Sequence, residues 1–223
     1  MSFGTVEYLE WAHLKPAVKY NLSGSAVEET LAEEIDFRWE GLRFSGPNQY
    51  GYLPLLEEIA NYYQVRPSNV TTACGTSMAN FLVCAALLER GDEVIVEKPC
   101  YGPLLDLPLA LGARVKRLER RFEAGYQIDL RELKRVASLR TKLLVLTNLH
   151  NPSGIQIAKD GLEEIGEMAR SLKFHVLIDF TDPTDPWMID QWNEHTDTWE
   201  AWYYNGYVFT GDLRRGLDVL TFA

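Results

Sequence analysis

From Ser68 to Asp179 the sequence alternates short apolar runs with longer segments of helical period, and few folds accept that order. The apolar runs are Val70–Ala73, Glu93–Val96, Arg114–Leu118, Lys142–Thr147 and His175–Ile178. Between most of them lie Ser77–Glu89, Leu104–Leu111, Leu130–Leu139 and Gly161–Leu172, which read as helices. Spacers of this length mean right-handed crossovers and a mostly parallel sheet. The runs are apolar nearly throughout rather than at every second residue, so helices are expected on both faces of the sheet. The expected fold class is therefore α/β.

The flanks differ in kind. Residues 1–67 read as an N-terminal arm with helices: Tyr8, Leu9, Trp11, Ala12 and Leu14 stand among polar residues, and Val27–Glu34 and Leu55–Tyr63 have helical character. Residues 68–180 form the expected core. Residues 181–223 diverge, with four of the six tryptophans between Trp187 and Trp202, many carboxylates, and no lysine after Lys173. Tyr207–Thr210 reads as a sixth strand.

Composition narrows the function. Hydrophobic residues at 46% and charged residues at 24% are ordinary for a folded domain. A net charge of −10 without any basic stripe argues against a nucleic-acid partner. No apolar run approaches a membrane span, and Met1-Ser2-Phe3-Gly4 opens no signal peptide. Cys74, Cys84 and Cys100 lack metal-ligand spacing and leave an odd thiol, which suits a reducing, cytoplasmic setting.

Chemistry is expected where apolar strands end, because open α/β sheets bind ligands beyond the carboxyl ends of their strands. Gly75-Thr76-Ser77 opens a helix, where by itself the stretch reads first as an ordinary helix cap and second as a phosphate cradle of free N–H groups and two hydroxyls. Tyr101, in Lys98-Pro99-Cys100-Tyr101-Gly102-Pro103, is placed to stack on a flat ring or to serve as a half-buried loop aromatic. Asn148-Leu149-His150-Asn151-Pro152-Ser153-Gly154 is a polar turn that either simply joins strand to helix or lets an asparagine offer its amide to a bound oxygen. Asp179 ends an apolar strand, where a carboxylate either meets a cation or donor that offsets its burial or serves as a helix cap.

Together, Gly75-Thr76-Ser77, Pro99-Cys100-Tyr101-Gly102, Asn151-Pro152-Ser153-Gly154 and Asp179 resemble, in order and spacing, the class I/II aminotransferases. These are the fold-type I enzymes that depend on pyridoxal 5′-phosphate, and the likeness runs from about Tyr20 to Asp179. It implies their large, cofactor-binding domain and amino transfer between an amino acid and a 2-oxo acid. It implies that Gly75, Thr76 and Ser77 hold the cofactor phosphate and that Tyr101 stacks on the pyridine ring. Asn151 would bond the ring O3′, and Asp179 would pair with the ring N–H. Tyr50 or Gly51 is implied near the phosphate across a dimer interface, and the family is typically homodimeric.

The tail departs from the pattern. Asp182 stands where the family has a tyrosine, and Thr210-Gly211-Asp212-Leu213-Arg214-Arg215 resembles the turn that carries the Schiff-base lysine. Arg215 occupies the expected lysine position, and a guanidinium stays protonated and supplies no neutral amine. The family's small C-terminal domain has no counterpart in this sequence. Catalytic activity of the chain as it stands is therefore not expected; the alternative is a non-catalytic binding or interaction protein descended from the family.

Overall fold

The computed structural model describes residues 50–180, isolated positions before them (5, 6, 10, 11, 14, 31–34, 40 and 46), and the backbone of residues 202–204, 207–212 and 216–221. Helix α1 spans Leu53–Tyr62 and α2 spans Thr76–Leu87. Then β1 (Glu93–Lys98), α3 (Gly102–Ala110), β2 (Arg114–Glu119), α4 (Leu130–Val136), β3 (Thr141–Asn148), α5 (Lys159–Leu172) and β4 (His175–Phe180) follow in strict alternation. The four strands form one sheet in the order β2-β1-β3-β4, with every pairing parallel.

Burial explains why the strands read as continuous apolar runs. Side chains alternate across a strand, so each face takes every second residue. Ile95, Leu144, Leu146, Val176 and Ile178 pack with Leu133 of α4 and with Leu162, Ile165 and Ala169 of α5. Val94, Val96, Leu143, Val145 and Leu177 pack with Ala79, Val83 and Cys84 of α2 and with Leu104 and Leu107 of α3. Both faces are thus covered, as expected. A smaller cluster joins Leu56, Ile59, Ala60 and Tyr63 to Val70. Among the described residues, no helix is long and apolar enough to cross a membrane.

Two expectations need correction. Val70–Ala73 is not a strand of the sheet: it contributes one bridge residue, Thr72. Its apolar side chain Val70 is buried against α1 instead, so the run is apolar without belonging to the sheet. Tyr207–Thr210 lies within a strand, but in a second sheet. Strands β5 (Trp202–Tyr204), β6 (Tyr207–Asp212) and β7 (Gly216–Thr221) form an antiparallel three-stranded ribbon rather than extending the parallel order. A short connection permits only antiparallel pairing, and residues 213–215 are too few for a parallel crossover. Of the expected helix over residues 27–34, the described part is a single 3-10 turn, Ala32–Glu34. Asp182 and Arg215 lie outside the described residues.

Candidate functional site

All four parallel strands run the same way, so their carboxyl ends share one edge, and β1, β3 and β4 bring Tyr101, Asn151 and Asp179 to it. Tyr101 follows β1 and caps the start of α3. Asn151 sits in the turn after β3, three residues past Asn148. Asp179 lies within β4 and pairs in register with Thr147 of β3. The peptide bonds Lys98–Pro99 and Asn148–Leu149, where the chain leaves β1 and β3, are cis.

Asp179 is 5% exposed. It follows Leu177 on the face covered by α2, and Asn80 of that helix donates its Nδ2 to Asp179 Oδ2 at 3.1 Å. Among the described residues no ion pair includes this carboxylate. Burial pushes its pKa up to about 7; the Asn80 hydrogen bond works against that rise, and the charge of Glu97 adds to it. A carboxylate in this position is one proton, or one cation, short of a comfortable environment.

One turn before Asn80, roughly 6 Å along the helix axis, stands the start of α2. Gly75 occupies the N-cap with φ +81° and ψ 159°, a region open essentially to glycine alone, and offers no side-chain cap. A Cβ built on Gly75 meets nothing within 4 Å. The first N–H groups of the helix have no intrahelical acceptor, and the helix dipole favours an anion there. Helix α2 therefore presents an anion-seeking start beside a buried carboxylate that seeks a cation. A phosphorylated ring that carries a protonated nitrogen has both groups.

Beneath these residues lies a polar network. Arg120 and Glu97 are both fully buried, and Arg120 Nη1 donates to Glu97 Oε2 at 2.7 Å. Thr147 donates its N–H (2.6 Å) and its Oγ1 (2.5 Å) to Glu97 Oε1. Thr147 Oγ1 in turn accepts the N–H of Asn151 at 2.8 Å. His150 is buried, with Nε2 3.0 Å from Pro99 O and Nδ1 2.6 Å from Ser153 Oγ. Burial holds the His150 pKa below its usual range, which keeps the ring neutral. A carbonyl only accepts, so Nε2 carries the proton and Nδ1 accepts from Ser153. Burial pushes the Glu97 carboxyl up, while Arg120 and Thr147 oppose it.

Tyr101, Asn151, Asp179 and the Gly75-Thr76-Ser77 helix start thus belong to elements that meet at one sheet edge. Asn80, Glu97, Arg120 and Thr147 were not singled out from the sequence. Asn80 had one usable signal, an amide in an otherwise apolar helix segment; Arg120, between Glu119 and Arg121, had none.

The chain matches the family described as aminotransferase class I and II over residues 19–181. It is 27% identical to a probable aspartate aminotransferase of Methanocaldococcus jannaschii over 63% of this chain and 38% of that protein. It is 39% identical to capreomycidine synthase of Streptomyces vinaceus over 53% of this chain and 32% of that protein. Among solved structures, a PLP-dependent aminotransferase from Streptococcus suis superposes with a TM-score of 0.58 at 30% identity, over 63% of this chain and 38% of that one. The chain spans well under half the length of these relatives. Arg215 lies beyond the matched residues.

Proposed function

We propose that this chain, which belongs to the class I and II aminotransferase family, is the cofactor-holding part of an enzyme that moves an amino group between an amino acid and a 2-oxo acid. The family's cofactor is pyridoxal 5′-phosphate, which supplies an aldehyde to carry the amino group and a protonated ring to draw electrons from the bond that breaks. The observation that carries the reading is Asp179, a buried carboxylate at the end of β4 with an amide donor and, among the described residues, no cation.

Each residue has a part in that reading. Asp179 would hold a proton on the ring nitrogen, and the ring's positive charge would in turn favour the ionised carboxylate. Asn80 orients Asp179 by donating to Oδ2. The amides and hydroxyls of Thr76 and Ser77, with Gly75 leaving room, receive the phosphate. Tyr101 would lie against the ring, and Asn151 would donate to its hydroxyl oxygen.

For this chain by itself we assign reversible binding without turnover. In the tail, Arg215 stands in the turn that resembles the lysine-bearing one, and its guanidinium cannot condense with the aldehyde. We assign the site to a homodimer in a reducing cytosol. Tyr50, Tyr52 and Leu53 are exposed next to one another, an apolar patch suited to a second copy, and all three cysteines are free thiols.

Equilibrium dialysis tests the reading. The chain should bind about one equivalent of pyridoxal 5′-phosphate, removable by further dialysis. Asp179→Asn should weaken binding at least tenfold, roughly 1.4 kcal/mol. Borohydride followed by mass spectrometry should leave no cofactor on a lysine. No binding by the parent chain, or equal binding by the variant, refutes the proposal.

A further inference from the structure

The Glu97–Arg120 pair is the least economical feature of the core. Replacing a buried ion pair by apolar side chains of similar volume is often neutral or stabilising. This pair lies at the carboxyl edge of the sheet, where its hydrogen bonds reach the loop after β2 directly and the turn after β3 through Thr147. Arg120 Nε donates to Tyr126 O at 2.6 Å, and the Tyr126 ring lies 5.8 Å from the His150 ring. His150 Nε2 holds Pro99 O, two residues before Tyr101. Glu97 reaches Asn151 through the Thr147 hydroxyl.

The hydroxyl has a direction. Thr147 Oγ1 has one proton and donates it in a hydrogen bond to Glu97 Oε1, an oxygen that also accepts the Thr147 N–H. The oxygen lone pairs are then left for the Asn151 N–H. Arg120 Nη1 donates to the other carboxylate oxygen, Oε2, at 2.7 Å, so both oxygens of Glu97 act as acceptors. Thr147 is also the register partner of Asp179, which puts the relay one strand from the carboxylate.

We infer that Glu97, acting through Thr147, is a positioning residue that fixes Asn151 for the cofactor ring, an inference that rests on the function proposed above. Glu97 touches neither cofactor nor substrate. Its effect is to set the polarity of one hydroxyl and hence the placement of one turn.

A double-mutant cycle tests it. Thr147→Val should weaken pyridoxal 5′-phosphate binding about tenfold and Asn151→Ala by a similar factor. The double variant should bind within about twofold of Asn151→Ala alone. Thr147→Ser, which restores the hydroxyl, should return affinity to within about twofold of the parent. Affinity for inorganic phosphate, a probe of the helix start alone, should not change in Thr147→Val. In the cofactor-free chain, hydrogen exchange at the Asn151 amide should speed up in Thr147→Val and in Glu97→Gln, while amides of central β3 stay protected. Glu97→Gln keeps the side-chain size and carries the same cycle should Thr147→Val fail to fold. Additive losses, an unchanged Asn151 amide, or no rescue by Thr147→Ser overturns the inference while leaving the proposed function standing. Failure of the parent chain to bind the cofactor overturns both.

Discussion

Replacing Asp179 by Asn should stabilise the cofactor-free chain above neutral pH while it weakens cofactor binding. The magnitude follows from burial. A carboxyl whose ordinary pKa is 3.8 is pushed up to about 7 in the fold. Between those values the folded chain keeps a proton that the unfolded chain has released. Stability therefore falls as pH rises through the window, at about 1.4 kcal/mol per pH unit. The full cost above pH 7 is about 4 kcal/mol, and the part that falls between pH 5 and pH 8 is roughly 2–3 kcal/mol. Asn has nearly the same shape, still offers Asn80 an oxygen, and does not titrate. Urea unfolding of the parent and of Asp179→Asn at pH 5 and pH 8 measures the difference. The variant's advantage should grow by roughly 2–3 kcal/mol between the two conditions. An advantage that does not change with pH, or that shrinks, would show that Asp179 is already matched by a cation in the free chain, and the argument for its role would fail.

Arg120→Met strands Glu97 in the core and should cost about 3–5 kcal/mol; because a raised carboxyl pKa loses stability as pH rises, melts should show the deficit larger at pH 8 than at pH 5, with Glu97→Gln in the same chain recovering part of it. Gly75→Ala meets no atom within 4 Å, so its cost, about 1–3 kcal/mol in urea unfolding, is that of the backbone conformation alone, and a loss near zero would mean that the loop relaxes. Cys74 is exposed while burial pushes the Cys84 thiol up to about 12, so a thiol reagent should label Cys74 in the folded chain and reach Cys84 only after denaturation.

Much of this architecture was legible because its strands are buried on both faces, and double burial writes a continuous apolar run that periodicity can find. Val70–Ala73 reads as a strand for the same reason, yet Val70 is apolar because it packs on α1, and a run of four residues does not say which neighbour buries it. The antiparallel setting of Tyr207–Asp212 depends on Gly216–Thr221 folding back on it, a pairing that local composition does not encode. At the site, Gly75, Tyr101, Asn151 and Asp179 stand out because each interrupts or follows an apolar run. Glu97 and Arg120 do not. Each looks like an ordinary charged residue near the end of an amphipathic strand, and only the register of β1 with β2 and β3 buries them together. Asn80 acquires meaning only through a residue ninety-nine positions away.

The central claim is that Asp179 meets a protonated ring nitrogen. Nitrogen-15 NMR of pyridoxal 5′-phosphate labelled at that nitrogen, bound to the chain at pH 8, tests it most directly. The account predicts the shift of a protonated pyridine in the parent chain, and loss of that protonation in whatever fraction Asp179→Asn still binds. An unprotonated ring nitrogen in the parent, or a protonated one that survives the substitution, would contradict it.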